Sequence, residues 1–254
     1  MIPLRVLVRL LAVTALAVIG VVAMGLSTPG SGSHTAPAVA GTVQPHPAAP
    51  AKPVAWSLPP HMPAGAALIG RVTVPIRTGA GWVRPVTPLG SDTWLLILHH
   101  HGRHGVALIP TSGTTPRTAR IDLAQLDLRW TRVRVVVNLS RLRLSVLRGR
   151  RLLGSFPVAA GMASTPTPTG RFSVTDRVTF PPGSTYGSFA LGLSVHQSQL
   201  LRGWHGGSQI AIHGTSQPSS IGRYASLGCI RVPRPALRLL ERIVPLGGPV
   251  TIHV

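Results

Sequence analysis

The chain has 254 residues, enough for one large domain or two small ones. Hydrophobic residues make up 44% and charged residues only 12%, which excludes a coiled coil and a charge-driven disordered protein. Twenty-four Arg and one Lys stand against five acidic residues, so the net charge is +20. With so few carboxylates, a carboxylate-pair mechanism or a carboxylate-rich metal cage is improbable. The positive charge reflects either the nucleotide composition of the genome or affinity for a polyanion: nucleic acid, anionic lipid or an acidic wall polymer.

The N-terminal segment predicts export. Arg5 and Arg9 precede an uncharged apolar run at residues 10–26, which reaches the length of a membrane span when the residues from Val6 onward are included. We expect residues 1–26 to be a signal anchor that contacts the membrane or, alternatively, a signal peptide that is cleaved. Either reading puts the rest of the chain in the cell envelope or outside the cell, which argues against a nucleic-acid partner.

A linker is predicted next. Residues 27–66 contain nine Pro and four Gly, a composition that buries too little apolar surface to fold.

Residues 67–128 are predicted to form a small β module. One strand is expected at residues 72–74, and a hairpin at residues 93–98 and 106–109. Its loop would carry four histidines, at positions 99, 100, 101 and 104. We favour a solvated loop over a metal site there, because no carboxylate lies close in sequence to complete a ligand set.

Residues 129–254 give the stronger β pattern. Alternating apolar and polar residues predict three strands of an antiparallel meander with one polar face. These strands are expected at residues 133–137, 142–147 and 152–160. Further on, apolar residues at helical spacing predict a helix at residues 235–244, and two more strands are predicted at residues 172–175 and 250–254. The expected class is mostly β, with one or two helices.

The only cysteine, Cys229, excludes an internal disulfide and a Cys-based zinc site. In an exported protein a free thiol is either buried and inert or used in chemistry. Its neighbours favour chemistry: Gly228 allows close backbone approach, Arg231 favours a thiolate, and His213 ends an apolar run as a base at a strand terminus would. We therefore expect His213 and Arg231 to lower the pKa of the thiol.

These residues belong to a set of motifs with a known counterpart. The pieces are His213-Gly214, Ser226-x-Gly228-Cys229-Ile230-Arg231, Thr167-Pro168-Thr169-Gly170-x-Phe172, the pair Tyr186-Gly187 and the Gly-rich stretch 203–207. With them, the sequence closely resembles the L,D-transpeptidase catalytic domain (the YkuD-type family) over about residues 131–254. The segment around Trp94 is similar to a degenerate form of the small β module that precedes this domain in some exported relatives.

The resemblance implies a β-sandwich-like catalytic fold and acyl transfer between peptidoglycan stem peptides, with no metal and no cofactor. Cys229 would attack the carbonyl of an L-configured centre, commonly diaminopimelate, that precedes a terminal D-Ala. D-Ala would leave, and an amine of a neighbouring stem would convert the thioester into a 3→3 cross-link. An anionic wall polymer is a further expected partner.

Roles follow from the resemblance residue by residue. Cys229 is the nucleophile and His213 the general base, with His196 and His205 the next candidates for the base. The Gly214 carbonyl orients the imidazole, and the N–H groups of Gly228 and Cys229 form the oxyanion site. The substrate-binding residues expected are Arg231, Ser226, Tyr186 and Thr215, of which Ser226 also shapes the loop.

One departure and several alternatives remain open. Many relatives carry His where this chain has Leu227, and we expect that second His to be dispensable, since His213 satisfies the need for a base. The same site would serve an L,D-carboxypeptidase that uses water, or an enzyme that attaches a protein to peptidoglycan. A non-catalytic wall-binding protein is a further alternative, but it would not need Cys229, His213 and Arg231 together. A metal-binding envelope protein is another, and it would depend on the histidine loop alone.

Overall fold

The computed structural model of the chain describes residues 57–58, 62–110, 113, 115, 117–199 and 207–254. The predicted signal segment and nearly all of the predicted linker therefore lie outside the described residues. Among the residues that are described, no helix has both the length and the apolar character needed to cross a membrane.

The first half of the described chain forms a five-stranded antiparallel sheet in the order β6-β5-β4-β1-β7, with a separate β2–β3 hairpin. The strands are β1 Ala67–Val72, β2 Ile76–Thr78, β3 Gly81–Val83, β4 Trp94–His101, β5 His104–Ile109, β6 Arg117–Asp122 and β7 Leu126–Thr131. A 3₁₀ turn at Leu123–Gln125 connects the last two. The boundary proposed between residues 128 and 129 falls inside β7 and stays a prediction.

Two expectations for this sheet need correction. The strand predicted at residues 72–74 lies earlier, at β1, because residues 67–72 pair with β7 and residues 68–71 also pair with β4, while Val74 is exposed. The predicted histidine loop is mostly strand. His101 pairs with His104 across a two-residue turn, in which Gly102 has a φ of 53°.

The second half forms an eight-stranded mixed sheet in the order β10-β9-β8-β17-β12-β13-β14-β16, with a small β11–β15 pair beside it. The strands are β8 Val133–Asn138, β9 Arg143–Arg148, β10 Arg151–Pro157, β11 Ala160–Gly161, β12 Gly170–Thr179, β13 Phe189–His196, β14 Gln209–His213, β15 Tyr224–Ser226, β16 Ile230–Arg231 and β17 Pro249–His253. The β8–β17 and β14–β16 pairs are parallel. The mostly β class expected from the sequence is confirmed, and the predicted meander is β8 to β10.

One helix, α1 at Arg234–Ile243, covers this sheet and is preceded in the chain by a 3₁₀ turn at Pro218–Ser220. Its apolar face buries Ala236, Leu237 and Leu240 in the largest hydrophobic cluster. The strand β13 was not predicted, because all of its residues but the last are buried and it lacks the alternation of a half-exposed strand. It forms the middle of the core that supports β14.

Candidate active site

The thiol and the imidazole predicted to react lie on adjacent parallel strands. Cys229 directly precedes β16, and Ile212 of β14 pairs with Ile230. The Ala211 N–H donates to Cys229 Sγ at 3.4 Å, and Sγ lies 3.9 Å from the Gln209 carbonyl oxygen. Because side chains alternate along a strand, His213 lies on the same face as Ala211, about 7 Å further along. The Cys229 sulfur therefore lies against the backbone of β14, two to four residues before His213.

His213 is held as a neutral imidazole. Its side chain is buried, and Nδ1 lies 2.5 Å from the Gly214 carbonyl oxygen. A carbonyl oxygen only accepts, so Nδ1 carries the proton and Nε2 keeps its lone pair. Burial lowers the pKa of His213 to about 4, against a smaller upward effect of the Gly214 hydrogen bond. At neutral pH, Nε2 is therefore free to accept a proton.

The electrostatics of Cys229 differ from the expectation. Burial raises the pKa of the thiol, and this outweighs the lowering effects of the Ala211 N–H and the charge of Arg231. Among the described residues, the hydrogen-bond partners of Sγ are backbone groups of β14 and not His213. The predicted lowering of the pKa by an ion pair is wrong for this state, because the sequence does not reveal how deeply the sulfur lies.

Ser226 ties the ends of the cysteine loop together. Its Oγ donates to the Cys229 carbonyl at 2.5 Å and accepts from the Gly228 N–H at 3.1 Å. The Gly228 N–H is therefore engaged with Ser226, and its place in the oxyanion site stays a prediction. The Cys229 N–H has no acceptor within the described part of the chain. Of the two predicted donors, only Cys229 remains available.

Two residues that had no predicted role donate hydrogen bonds to carbonyl groups of the cysteine loop. Thr167 Oγ1 donates to the Gly228 carbonyl and accepts from the Gly161 N–H, both at 2.8 Å. Gln197 Nε2 donates to the Leu227 carbonyl at 3.3 Å and to the Pro166 carbonyl at 3.0 Å. Thr167 stood in a recognised motif, so its role could have been suspected; nothing local marked Gln197.

Gly228 is required by its conformation as well as by space. Its φ is 113°, a region that favours glycine, and a Cβ there would lie 2.4 Å from Gln197 Nε2. In a trans peptide the C=O and N–H groups point in opposite directions. Because Thr167 holds the Gly228 carbonyl in the interior, the Cys229 N–H points away from the interior.

The other predicted residues lie around His213. The Tyr186 ring meets the imidazole edge-on at 4.9 Å between centroids and stacks on Phe180 at 5.2 Å. Thr215 Oγ1 accepts from the Gln217 N–H at 2.9 Å, and Arg231 Nη1 donates to Gln217 Oε1 at 3.1 Å. A cavity of 680 Å³ opens beside Gly214 and Thr215, between the 180–188 loop and the start of α1. Tyr186 thus contacts the buried imidazole and Arg231 pairs with His213 across the strands, while Thr215 follows two residues later in the chain.

Of the alternative bases, His196 ends β13 with Nδ1 2.9 Å from Ser208 Oγ, and burial lowers its pKa. His205 and most of the Gly-rich stretch lie outside the described residues. Within the described ranges, no group of three or more His, Cys, Asp or Glu side chains is placed to hold a metal ion.

Comparisons with known proteins show which protein family the second half of the chain resembles. Residues 132–252 match the family model of the L,D-transpeptidase catalytic domain. The putative L,D-transpeptidases YkuD of Bacillus subtilis and Bacillus licheniformis are 35% and 37% identical over 119 residues. Those matches cover 47% of this chain and 65% and 64% of the two relatives, so the chain spans less than two thirds of their length. An L,D-transpeptidase structure from Mycobacterium smegmatis is 15% identical, with a TM-score of 0.41, over 65% of this chain and 92% of that one.

Residues 132–252 thus match the catalytic domain of the L,D-transpeptidase family, and the resemblance drawn from the motifs is confirmed.

Proposed function

We propose that this protein is a cell-wall L,D-transpeptidase that forms 3→3 peptidoglycan cross-links through a thioester on Cys229 and releases D-Ala. The observation that carries the proposal is the pairing of strands β14 and β16. It supports the proposal because the only thiol of the chain directly precedes β16, beside the strand that ends at His213, whose Nε2 keeps its lone pair.

In the first half-reaction, His213 Nε2 takes the proton of the thiol as Sγ attacks the carbonyl carbon that precedes D-Ala. A C–S bond forms, and the carbonyl oxygen becomes an oxyanion that accepts from the Cys229 N–H. The tetrahedral intermediate collapses, the C–N bond breaks, and the leaving amine of D-Ala takes the proton from His213. A thioester on Cys229 and a neutral imidazole remain.

In the second half-reaction, an amine of a neighbouring stem attacks the thioester carbonyl and gives its proton to His213. The C–S bond breaks, and the sulfur regains a proton from the imidazole. Water in place of the amine would make the enzyme an L,D-carboxypeptidase, and an amine of a protein would attach that protein to peptidoglycan.

Substrate contacts are proposed for the residues around the base. Arg231, which is otherwise engaged only with a neutral amide, has a charge available for a stem carboxylate. Tyr186 and Thr215 would line the path of the stem past His213. Such a substrate fits export into the envelope, with membrane contact through residues 1–26.

The test combines adduct formation with product analysis. Incubation with a carbapenem should add one acyl mass to Cys229, and soluble tetrapeptide muropeptides should yield D-Ala and 3→3 dimers. Cys229→Ala should abolish both results, and Cys229→Ser should be nearly inactive because a hydroxyl is a weaker nucleophile. Wild-type dimer formation by Cys229→Ala would refute the proposal.

The base is tested separately. His213→Ala should lower the rate roughly 10²–10⁴-fold, whereas His253→Ala, a change of an exposed histidine at the end of β17, should be silent. Leu227→His should change the rate far less than either active-site substitution. D-Ala release without dimers would identify the carboxypeptidase.

A further inference from the structure

The meander of the catalytic domain carries an uncompensated positive charge. Residues 132–151 contain seven arginines and no acidic residue. Ion pairs among the described residues involve only Arg71, Arg103 and Arg129. We define the arginine face as five arginines at the end of the sheet that carries the β9–β10 turn, together with Arg171 of β12, which lines one cavity with two of them. They are Arg132, Arg134, Arg148, Arg150, Arg151 and Arg171.

Two of these arginines contact the β9–β10 turn. Arg134 Nη1 donates to the Gly149 carbonyl, and Arg132 accepts from the Gly149 N–H through its own carbonyl at 2.7 Å. The Arg132 guanidinium also covers Gly149, because a Cβ there would lie 2.6 Å from its Nη2. Like charges are thus held together by neutral backbone groups, with no carboxylate to offset their repulsion.

A cavity continues the arginine face toward the five-stranded sheet. It measures 410 Å³, and its lining includes Arg132, Arg134 and Arg171 opposite His99 and His100. The Nδ1 atom of His100 is buried and has no hydrogen-bond partner among the described residues. Three arginines line this cavity and its lining contains no carboxylate, so it offers positive charge to an anionic oxygen.

The length of the arginine face indicates what kind of anion it would bind. From β10 to β12 the sheet spans four strand spacings, about 19 Å, which exceeds the size of a single phosphate. The meander has a single aromatic residue, Phe156, and it packs against the core, so no ring is offered for stacking on a base. These features favour a flexible chain of repeated anions without bases.

We propose that the arginine face binds a phosphodiester polymer of the polyol-phosphate type, with one phosphate in the cavity beside His100. The inference uses the proposed function only to choose a wall polymer as the source. Binding here would hold the enzyme on its substrate matrix without involving the groups around Cys229.

The experiment measures binding of the full chain to poly(glycerol phosphate) over a range of salt concentrations. One variant carries Arg148→Gln, Arg150→Gln, Arg151→Gln and Arg171→Gln, which are all exposed and make no side-chain hydrogen bond within the described structure. The matched control carries Arg77→Gln, Arg84→Gln, Arg117→Gln and Arg120→Gln in the five-stranded sheet and its hairpin. Both variants lower the net charge by four.

The variant of Arg148, Arg150, Arg151 and Arg171 should bind the polymer about tenfold more weakly than the native protein. Its slope of the logarithm of the binding constant against the logarithm of the salt concentration should be smaller by about 3, because each lost phosphate contact contributes about 0.7. The control should stay within about twofold of the native protein, and the four Arg→Lys substitutions should retain binding. Melting curves for each variant check folding, and release of D-Ala from soluble muropeptides should stay at the native rate.

Three outcomes would overturn the proposal. Equal weakening in both quadruple variants would mean that net charge alone attracts the polymer. Displacement by duplex DNA at a lower phosphate concentration would mean that the face is a nucleic-acid surface. Absence of binding by the native chain at low salt would exclude a polyanion altogether. Failure of cross-linking chemistry with binding intact would instead count against the proposed function.

Discussion

The Thr167 hydroxyl offers the sharpest test of how the fold prepares the nucleophile. Thr167→Val keeps the shape of a β-branched side chain but removes the oxygen that joins Gly161 and Gly228. Each of these buried backbone groups loses its partner, at about 1–3 kcal/mol each, so the free energy of unfolding should fall by about 2–6 kcal/mol. Denaturant unfolding measures this directly.

The catalytic effect should exceed a simple loss of folded protein. Without its anchor, the peptide between Gly228 and Cys229 can rotate, and the Cys229 N–H no longer points steadily at the oxyanion. Removal of an oxyanion donor costs roughly 10²–10³ in kcat, so a loosened donor should cost roughly tenfold to a hundredfold. The rate of carbapenem acylation, measured in fully folded protein, reports the effect.

Two matched substitutions separate the hydroxyl from other causes. Thr167→Ser keeps the oxygen and should recover most of both losses. Thr169→Val removes the hydroxyl of an exposed threonine two residues away and should change neither quantity. If Thr167→Val acylates at the rate of Thr169→Val, the held carbonyl does not orient the donor and the reasoning fails.

Three further outcomes are expected. The pKa of His213 lies near 4 in the folded protein, below the unfolded value of about 6.5, so the rate of acyl transfer should persist to about pH 5 and fall near pH 4. The free energy of unfolding should also drop by about 3 kcal/mol as the pH falls from 7 to 4, because the unfolded chain takes up the proton first. Gly228→Ala should destabilise by about 1–3 kcal/mol more than Gly222→Ala, which shares a positive φ but meets nothing within 4 Å. Asp176→Ala should lower the unfolding free energy by about 3–5 kcal/mol because a buried charged acceptor is lost, whereas Asp92→Ala, in an exposed ion pair, should cost under about 1 kcal/mol.

Local pattern was sufficient for the half-exposed strands and for the strand that ends at His213. The apolar run before His213 predicted a strand terminus, and the alternation of the meander predicted three strands, because each signal lies within a few residues. The fully buried strand β13 carries no alternation, so its existence follows only from the sheet around it.

Contacts between residues far apart in the chain determine the features of the site that the sequence did not predict. Gln197 reaches a carbonyl 30 residues away in the chain, and no motif or spacing indicates that contact. The direction of the thiol pKa depends on how deeply β14 and β16 enclose Sγ, which a charge count around Cys229 cannot give. Because Arg231 is close in sequence to Cys229, its charge predicted a lowered pKa of the thiol, but burial of the thiol has the larger effect.

The raised pKa of Cys229 and the lowered pKa of His213 have one cause and fit together chemically. Burial disfavours the thiolate and the imidazolium alike, so the resting site holds two neutral groups and no ion pair. The thiolate is the form that oxidants attack, and a thiol proposed to work outside the cell is therefore protected while it waits. In the proposed mechanism, proton transfer to Nε2 becomes favourable only when a carbonyl carbon accepts the sulfur and its oxygen meets the Cys229 N–H. Reactivity then requires the acyl donor itself, which is why the orientation of that single N–H should control the rate more strongly than the resting charge of the sulfur.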